Sequence, residues 1–196
     1  MVYRGIITVD RTFKAFAHLA CANRAILERA KKKEPGYYWD VMASLVFSAF
    51  TFEASLNHIG PKAISYWKEL ERLPMTNKLS ILLEHLKLSP DFGKRPYQSL
   101  RQLYGLRNAL AHGRDQELSF GPEERVIDDA TFKAFDFVRS KPEELCTIEY
   151  AEAAYADMET IVVGLFEAAG LGDYRFEAFD TASYSISFIS EIEKKG

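Results

Sequence analysis

Val41-Met42-Ala43-Ser44-Leu45-Val46-Phe47-Ser48-Ala49-Phe50-Thr51-Phe52-Glu53-Ala54-Ser55-Leu56-Asn57-His58-Ile59 is the stretch that decides the fold. Wound at 3.6 residues per turn, it turns apolar or small side chains to nearly every side. That is the pattern of a helix enclosed by neighbours rather than one lying on a surface. With Tyr37 as its start it predicts a central helix over 37–59. Between Asp40 and Lys62 the one formal charge is Glu53. Taking an unpaired carboxylate out of water is costly, so Glu53 requires a positive partner or a cleft to face, and an arginine is the partner expected.

Outward from this helix the punctuation marks off further helices. On its N-terminal side, Glu34-Pro35-Gly36 stops a helix that Asp10 can cap and that runs to about Lys33, with Phe13, Phe16, Ala17, Ala20 and Leu27 roughly on one face. Lys31-Lys32-Lys33 suits the C-terminal end of that helix dipole and reads as a solvated end rather than a phosphate-binding patch. Before it, Gly5-Ile6-Ile7-Thr8-Val9 is β-prone. On the C-terminal side, Gly60-Pro61 is expected to break the chain, and a connecting stretch through Trp67 and Glu69 leads to Thr76, a cap for a helix over Asn77–Leu88 striped by Leu79, Leu82, Leu83 and Leu86.

After the loop Ser89-Pro90-Asp91-Phe92-Gly93, a helix over Tyr97–His112 turns Leu100, Leu103, Tyr104, Leu106 and Leu110 largely inward, and Gly113 ends it. Glu117–Phe120 and Arg125–Ile127, flanking Gly121-Pro122-Glu123-Glu124, resemble a short hairpin, a β-prone insertion over about 116–128. Helical patterning resumes from Ala130 to about Val138, and from Glu143 or Ile148 to Ala169. The tail 172–196 contains Thr181–Ile189, where serines alternate with Tyr184, Ile186 and Phe188, an edge strand or ordered arm. The expectation is one mainly α domain over 1–196, with a helical core of four to six helices over about 10–169.

Composition sets the function classes. A length of 196 residues, 47% hydrophobic and 27% charged, suffices for a real core without metal or disulfide staples. A formal charge of −3 means that any nucleic-acid contact must rest on a local basic patch. Cys21 and Cys146 lie far apart in helical contexts, as buried small hydrophobes would. His18, His58 and His85 fall on separate predicted helices without metal-ligand spacing, so neither a metal nor another cofactor is expected. No secretory leader pattern is present and the longest apolar run is too short to span a bilayer, so a soluble, cytoplasmic protein without membrane contact is expected.

Arg107-Asn108-Ala109-Leu110-Ala111-His112-Gly113 carries the chemistry-capable groups. Asn108 and His112 are four residues apart and share a helix face, while Arg107 lies about 140° around from His112, although near the last turn, where the backbone loosens, its side chain could still swing toward the imidazole. An alternative account needs no activity: His112 suits a helix C-terminus, Gly113 is an ordinary helix stop, and Arg107 with Glu53 forms an ion pair. Lys94, Arg95, Arg101, Arg107 and Arg114, with Tyr97 and Tyr104, form the densest local basic and aromatic cluster, in which a base could stack. Solvated arginines beside half-buried tyrosines explain the same residues.

The hexapeptide Arg107–His112 resembles the Arg-x(4–6)-His motif of the HEPN superfamily, whose second position is usually polar and often Asn. Similarity in kind covers roughly residues 10–169, and the diagnostic residues occupy 107–112. The resemblance implies a compact helical bundle, a homodimer that brings two motifs together, and a metal-independent RNase. It implies His112 as general acid or base on a ribose 2′-hydroxyl or leaving oxygen, helped by an ordinary imidazole pKa of about 6.5. It implies Arg107 at the scissile phosphate, Asn108 orienting the imidazole or substrate, Glu53 and Asn57 in support, and Lys94, Arg95, Arg101, Tyr104 and Arg114 as candidate RNA contacts. Toxins or defence effectors with a cognate antitoxin, and non-catalytic interaction domains, are both among the roles such domains serve.

Overall fold

The central helix exists and is longer than expected: α2 (Tyr37–Ala63), in a computed structural model describing residues 2–113, 115–119, 121, 124, 138–172 and 180–192. Around it run α1 (Ala15–Lys31), the short α3 (Trp67–Leu70), α4 (Met75–His85), α5 (Tyr97–His112), α6 (Lys141–Leu145) and α7 (Ile148–Ala168). Two strands, β1 (Val2–Thr12) and β2 (Thr181–Ile192), complete the described elements. The chain is mainly helical, and α2 touches α1, α4, α5 and α7.

Burial follows the apolar pattern of α2 on most of its circumference, but one stripe is open, with Trp39 66% and Phe50 39% exposed. Val41 and Leu45 lie in one cluster with Leu27, Leu103, Leu106, Ala151 and Ala154. Phe52, Leu56 and Ile59 lie in a second with Phe16, Trp67, Leu82, Val162 and Leu165. The small polar residues of α2 are buried too, and they have partners. Ser44 Oγ donates to Asn23 Oδ1 at 2.6 Å, and Asn23 Nδ2 donates to Ser48 Oγ at 2.7 Å. A one-residue slip of α1 along α2 would strand those groups without bonds, so they set the register of the pair.

Several boundaries differ from expectation for local physical reasons. Gly60-Pro61 does not break the chain; α2 continues to Ala63. Proline in a last turn forfeits a single backbone bond. Gly60 instead makes room, since a Cβ there would sit 2.1 Å from the Trp67 ring. Asp10 does not cap α1, because β1 continues to Thr12 and the helix starts at Ala15 after Lys14. The connection after α2 contains α3, α4 starts at Met75 rather than after a Thr76 cap, and it ends at His85 rather than Leu88. The expected start at Glu143 or Ile148 resolves into both α6, closed by a Ser140–Glu143 capping box, and α7, whose Thr147 accepts from the Tyr150 N–H.

The β-prone insertion falls largely outside the described residues, and Glu117, Leu118 and Ser119 are not in a strand. The helix expected over 130–138 also lies outside them, except for the non-helical Val138. The β-prone opening and the alternating tail pair with each other, antiparallel, with Val9 opposite Tyr184, Ile7 opposite Ile186 and Gly5 opposite Phe188. Their ribbon is rooted to α1 through Asp180, which accepts from the Lys14 backbone N–H at 2.8 Å, faces His18 Nε2 at 3.1 Å and pairs with Arg11. These donors hold the Asp180 carboxyl far below the usual carboxylate range, the Lys14 N–H contributing most.

Candidate functional site

On α5 the residues Ser99, Leu100, Leu103 and Leu106 face the core, which places Arg107 on the flank toward α2. There its Nη2 lies 3.8 Å from Glu53 Oε2, its Nη1 donates to Asn108 Oδ1 at 2.9 Å, and its Cζ stands 5.5 Å from the Phe50 ring centroid. The expected Glu53–Arg107 pair is therefore present. The nearer partner of Glu53 is a residue the sequence reading did not single out. Lys78 of α4 donates from Nζ to Glu53 Oε1 at 3.2 Å and to Asn57 Oδ1 at 3.1 Å.

The Lys78 side chain is 2% exposed, whereas those of Glu53 and Arg107 are each 29% exposed. A buried ammonium needs that carboxylate and amide. The chain Lys78–Glu53–Arg107–Asn108 thus ties α4, α2 and α5 together, and it orients the guanidinium by fixing the carboxylate behind it. One signal could have revealed Lys78: it lies three residues after Met75 and four before Leu82, inside the apolar stripe of α4.

His112 occupies the opposite side of α5 from the core. Arg101, Asn108 and His112, at spacings of seven and four, fall within about 40° of one another on an outward stripe. Arg101 and His112 are exposed and Asn108 is partly buried. Gly105 lies on the same stripe, and a Cβ there would meet open space. His112 has no hydrogen bond or ion pair among the described residues. Within one chain, Arg107 and His112 therefore diverge, one toward α2 and one toward solvent.

The basic cluster is dispersed as well. At about 1.5 Å per residue, the start of α5 lies over 20 Å from His112. Lys94 there is exposed and 3.4 Å from Asp91. Arg95 is committed to Asp157 of α7 by bonds of 2.7 and 3.0 Å, a contact that raises its pKa and leaves its fork occupied. Tyr104 is half-buried against the core, as is Tyr97, whose phenol burial pushes upward. Arg114 lies outside the described residues. Asn57 is exposed and serves as an acceptor for Lys78.

The other histidines have structural settings. His58 is packed against Phe16 and Phe166, and Lys62 Nζ lies 2.6 Å from its Nε2. Burial, then the nearby lysines 62 and 14, lower its pKa to about 4, so the ring is neutral and accepts that proton. His18 lies at the root of the ribbon and His85 in a concavity with Tyr66 and Ile81. Among the described residues no group of three or more His, Cys, Asp or Glu side chains is placed to hold a metal, both cysteines are free, and no helix is long and apolar enough to cross a membrane. No family model, curated protein or solved structure matches this chain.

Proposed function

We propose that the chain is a metal-independent endoribonuclease of the HEPN type, working as a homodimer with a site composed from two copies of α5. The observation that carries this reading is the exposed, uncommitted His112 on the outward stripe of α5, while Arg107 is braced by Glu53 on its flank. An imidazole without a partner is free to take the proton of a ribose 2′-hydroxyl. The 2′-oxygen then attacks the adjacent phosphorus, the bond to the 5′-oxygen breaks, and a protonated imidazole supplies the proton to that leaving oxygen. The products are a 2′,3′-cyclic phosphate and a 5′-hydroxyl. Arg107 offers a permanently charged donor to the phosphate oxygens, and Asn108 precedes the imidazole by one turn on the same stripe. Arg101 lies about 16 Å further back along it, within reach of a neighbouring phosphate of an extended strand.

The 140° between Arg107 and His112 is the reason for two copies, since one chain cannot aim both at one phosphate while Glu53 holds the guanidinium. Purified protein should cleave RNA in EDTA. His112→Ala and Arg107→Ala, folded and as oligomeric as the wild type, should each lose on the order of 10²–10⁴-fold in rate. Equal rates in the variants would remove these residues from the chemistry. A toxin or defence role restrained by an antitoxin rests on the family resemblance alone.

One observation favours a second reading. The Lys78–Glu53–Arg107–Asn108 chain is complete without any substrate, as it would be in a non-catalytic interaction domain that uses these residues to lock helices together. The EDTA assay separates the two readings, because this one yields no cleavage from the wild type.

A further inference from the structure

Arginines that meet a carboxylate in this chain are not all held alike. Arg11, Arg29 and Arg95 each donate from both Nε and Nη2 to a single aspartate, Asp180, Asp40 and Asp157 respectively. A guanidinium filled in that way has its charge answered and its edge occupied. Arg107 departs from the pattern. Its approach to Glu53 is a single contact of 3.8 Å from Nη2, too long for a hydrogen bond, and among the described residues its hydrogen bond runs from Nη1 to Asn108 Oδ1 at 2.9 Å. Nε and Nη2 keep N–H donors unused.

Lys78 is the cause of the difference. It reaches the same carboxylate on Oε1 at 3.2 Å, with Asn57 Oδ1 at 3.1 Å as its other acceptor, and its side chain is 2% exposed. An ammonium buried so deeply has no water to turn to, so it requires Glu53 as its counter-charge. Two cations thus share one carboxylate, and neither meets a second one among the described residues. The surplus positive charge falls on the cation that reaches solvent. That is Arg107, 29% exposed, with its guanidinium over the Phe50 ring.

We propose that Lys78 is the positioning residue that keeps Arg107 available to a phosphodiester, by occupying Glu53 so that the carboxylate does not close on the guanidinium as Asp157 closes on Arg95. One surplus positive charge matches the one negative charge of a phosphodiester, and the planar edge of the guanidinium matches two of its oxygens. Without the ammonium, Glu53 is free to turn both oxygens toward α5, and the site is neutral before any substrate arrives. Lys78 touches no substrate itself and acts through Glu53. The choice of a phosphodiester as ligand rests on the nuclease reading, whereas the charge imbalance stands on these three side chains alone.

Binding and cleavage by the full chain, measured separately, test this. The binding probe is a single-stranded 2′-O-methyl RNA oligonucleotide, whose blocked 2′-oxygen cannot attack, followed by fluorescence anisotropy over a salt series. The unmodified oligonucleotide in EDTA gives kcat and KM. Lys78→Met removes the charge and leaves no buried ion alone. It should raise Kd and KM about tenfold and make log affinity fall less steeply with log salt, by about 0.7, the equivalent of one single-strand phosphate contact. Lys78→Met combined with Glu53→Gln removes the carboxylate as well, so affinity and salt slope should return close to the wild type. A mere lock between helices predicts the reverse order, since the double variant has lost both partners. Circular dichroism checks that each variant keeps its helices; should Lys78→Met lose them, Lys78→Gln, which can still bond Asn57, carries the same expectation. Wild-type affinity in the Lys78 variant, a double variant that binds no tighter than it, or a wild type that does not bind the probe would overturn the proposal. RNA bound but never cleaved retires the nuclease reading and keeps this one, and cleavage with the Lys78 variant unchanged does the opposite.

Discussion

The helical body and the β1–β2 ribbon both sort apolar from polar residues onto faces, yet they complete those faces in opposite ways. In the body, all of α2 but the stripe of Trp39, Phe50 and Asn57 finds a neighbour, and the polar groups that intrude are answered: Ser44 and Ser48 by Asn23, Glu53 by Lys78 and Arg107. In the ribbon, Tyr184, Ile186 and Phe188 form an equally regular apolar face that is 78%, 48% and 71% exposed. Periodicity thus identifies which side of an element avoids water, but not what will cover it. The body completes its apolar faces largely within itself, whereas Ile7, Val9, Tyr184 and Ile186 of the ribbon keep much of their surface exposed.

The strongest challenge to that contrast is Glu53→Ala, which leaves the Lys78 ammonium buried beside Asn57 alone. Breaking a buried pair costs about 3–5 kcal/mol, which at roughly 2–4 °C per kcal/mol for a chain of this length lowers the melting midpoint by about 10 °C. A calorimetric scan showing no drop would mean the body does not depend on this internal pairing. Gly60→Ala should be less severe. Helix propensity favours alanine by up to about 1 kcal/mol, but the new methyl would meet the fully buried Trp67 ring, and overpacking of about 1–3 kcal/mol is the larger effect. A stabilised variant would show that the ring can move.

Acid sharpens the comparison most gently. His58 has a folded pKa of about 4 because burial disfavours its charged form, against about 6.5 in an unfolded chain. As pH falls, the unfolded chain binds this proton first, so the stabilisation is complete above about 6.5 and declines toward pH 4. Melting midpoints should fall over that window, and His58→Leu should flatten the trend. Ile186→Lys on the ribbon should hardly change the midpoint of the body, within the ~0.5 kcal/mol usual for surface substitutions.

What the sequence made legible follows the range of the interactions. α5 was readable to both ends, and α2 and α7 nearly so, because apolar periodicity and local stops specify them. Gly60 was misread as a breaker since its function lies across space, under Trp67. The pairing of β1 with β2 joins Thr12 to Thr181, and nothing local in either strand names the other. At the candidate site, the lone Glu53 correctly pointed to Arg107. It did not reveal Lys78, a residue type usually solvated, or Asp157, which occupies the fork of Arg95. Helical spacing put His112 on one face with Asn108, and only the packing of α5 showed that this face is turned from the core.

The ribbon also fixes an order of events in time. Each rung joins residues far apart along the chain, from Thr12 with Thr181 to Val2 with Ile192. At about 5–20 residues per second, β1 is synthesised roughly 10–35 s before any of β2 is available to pair with it. Through that interval Ile6, Ile7 and Val9 travel on an unpaired apolar segment, while the helices between can already pack. The rungs of greatest separation close last, so the ribbon forms only after the helices between its strands have been synthesised.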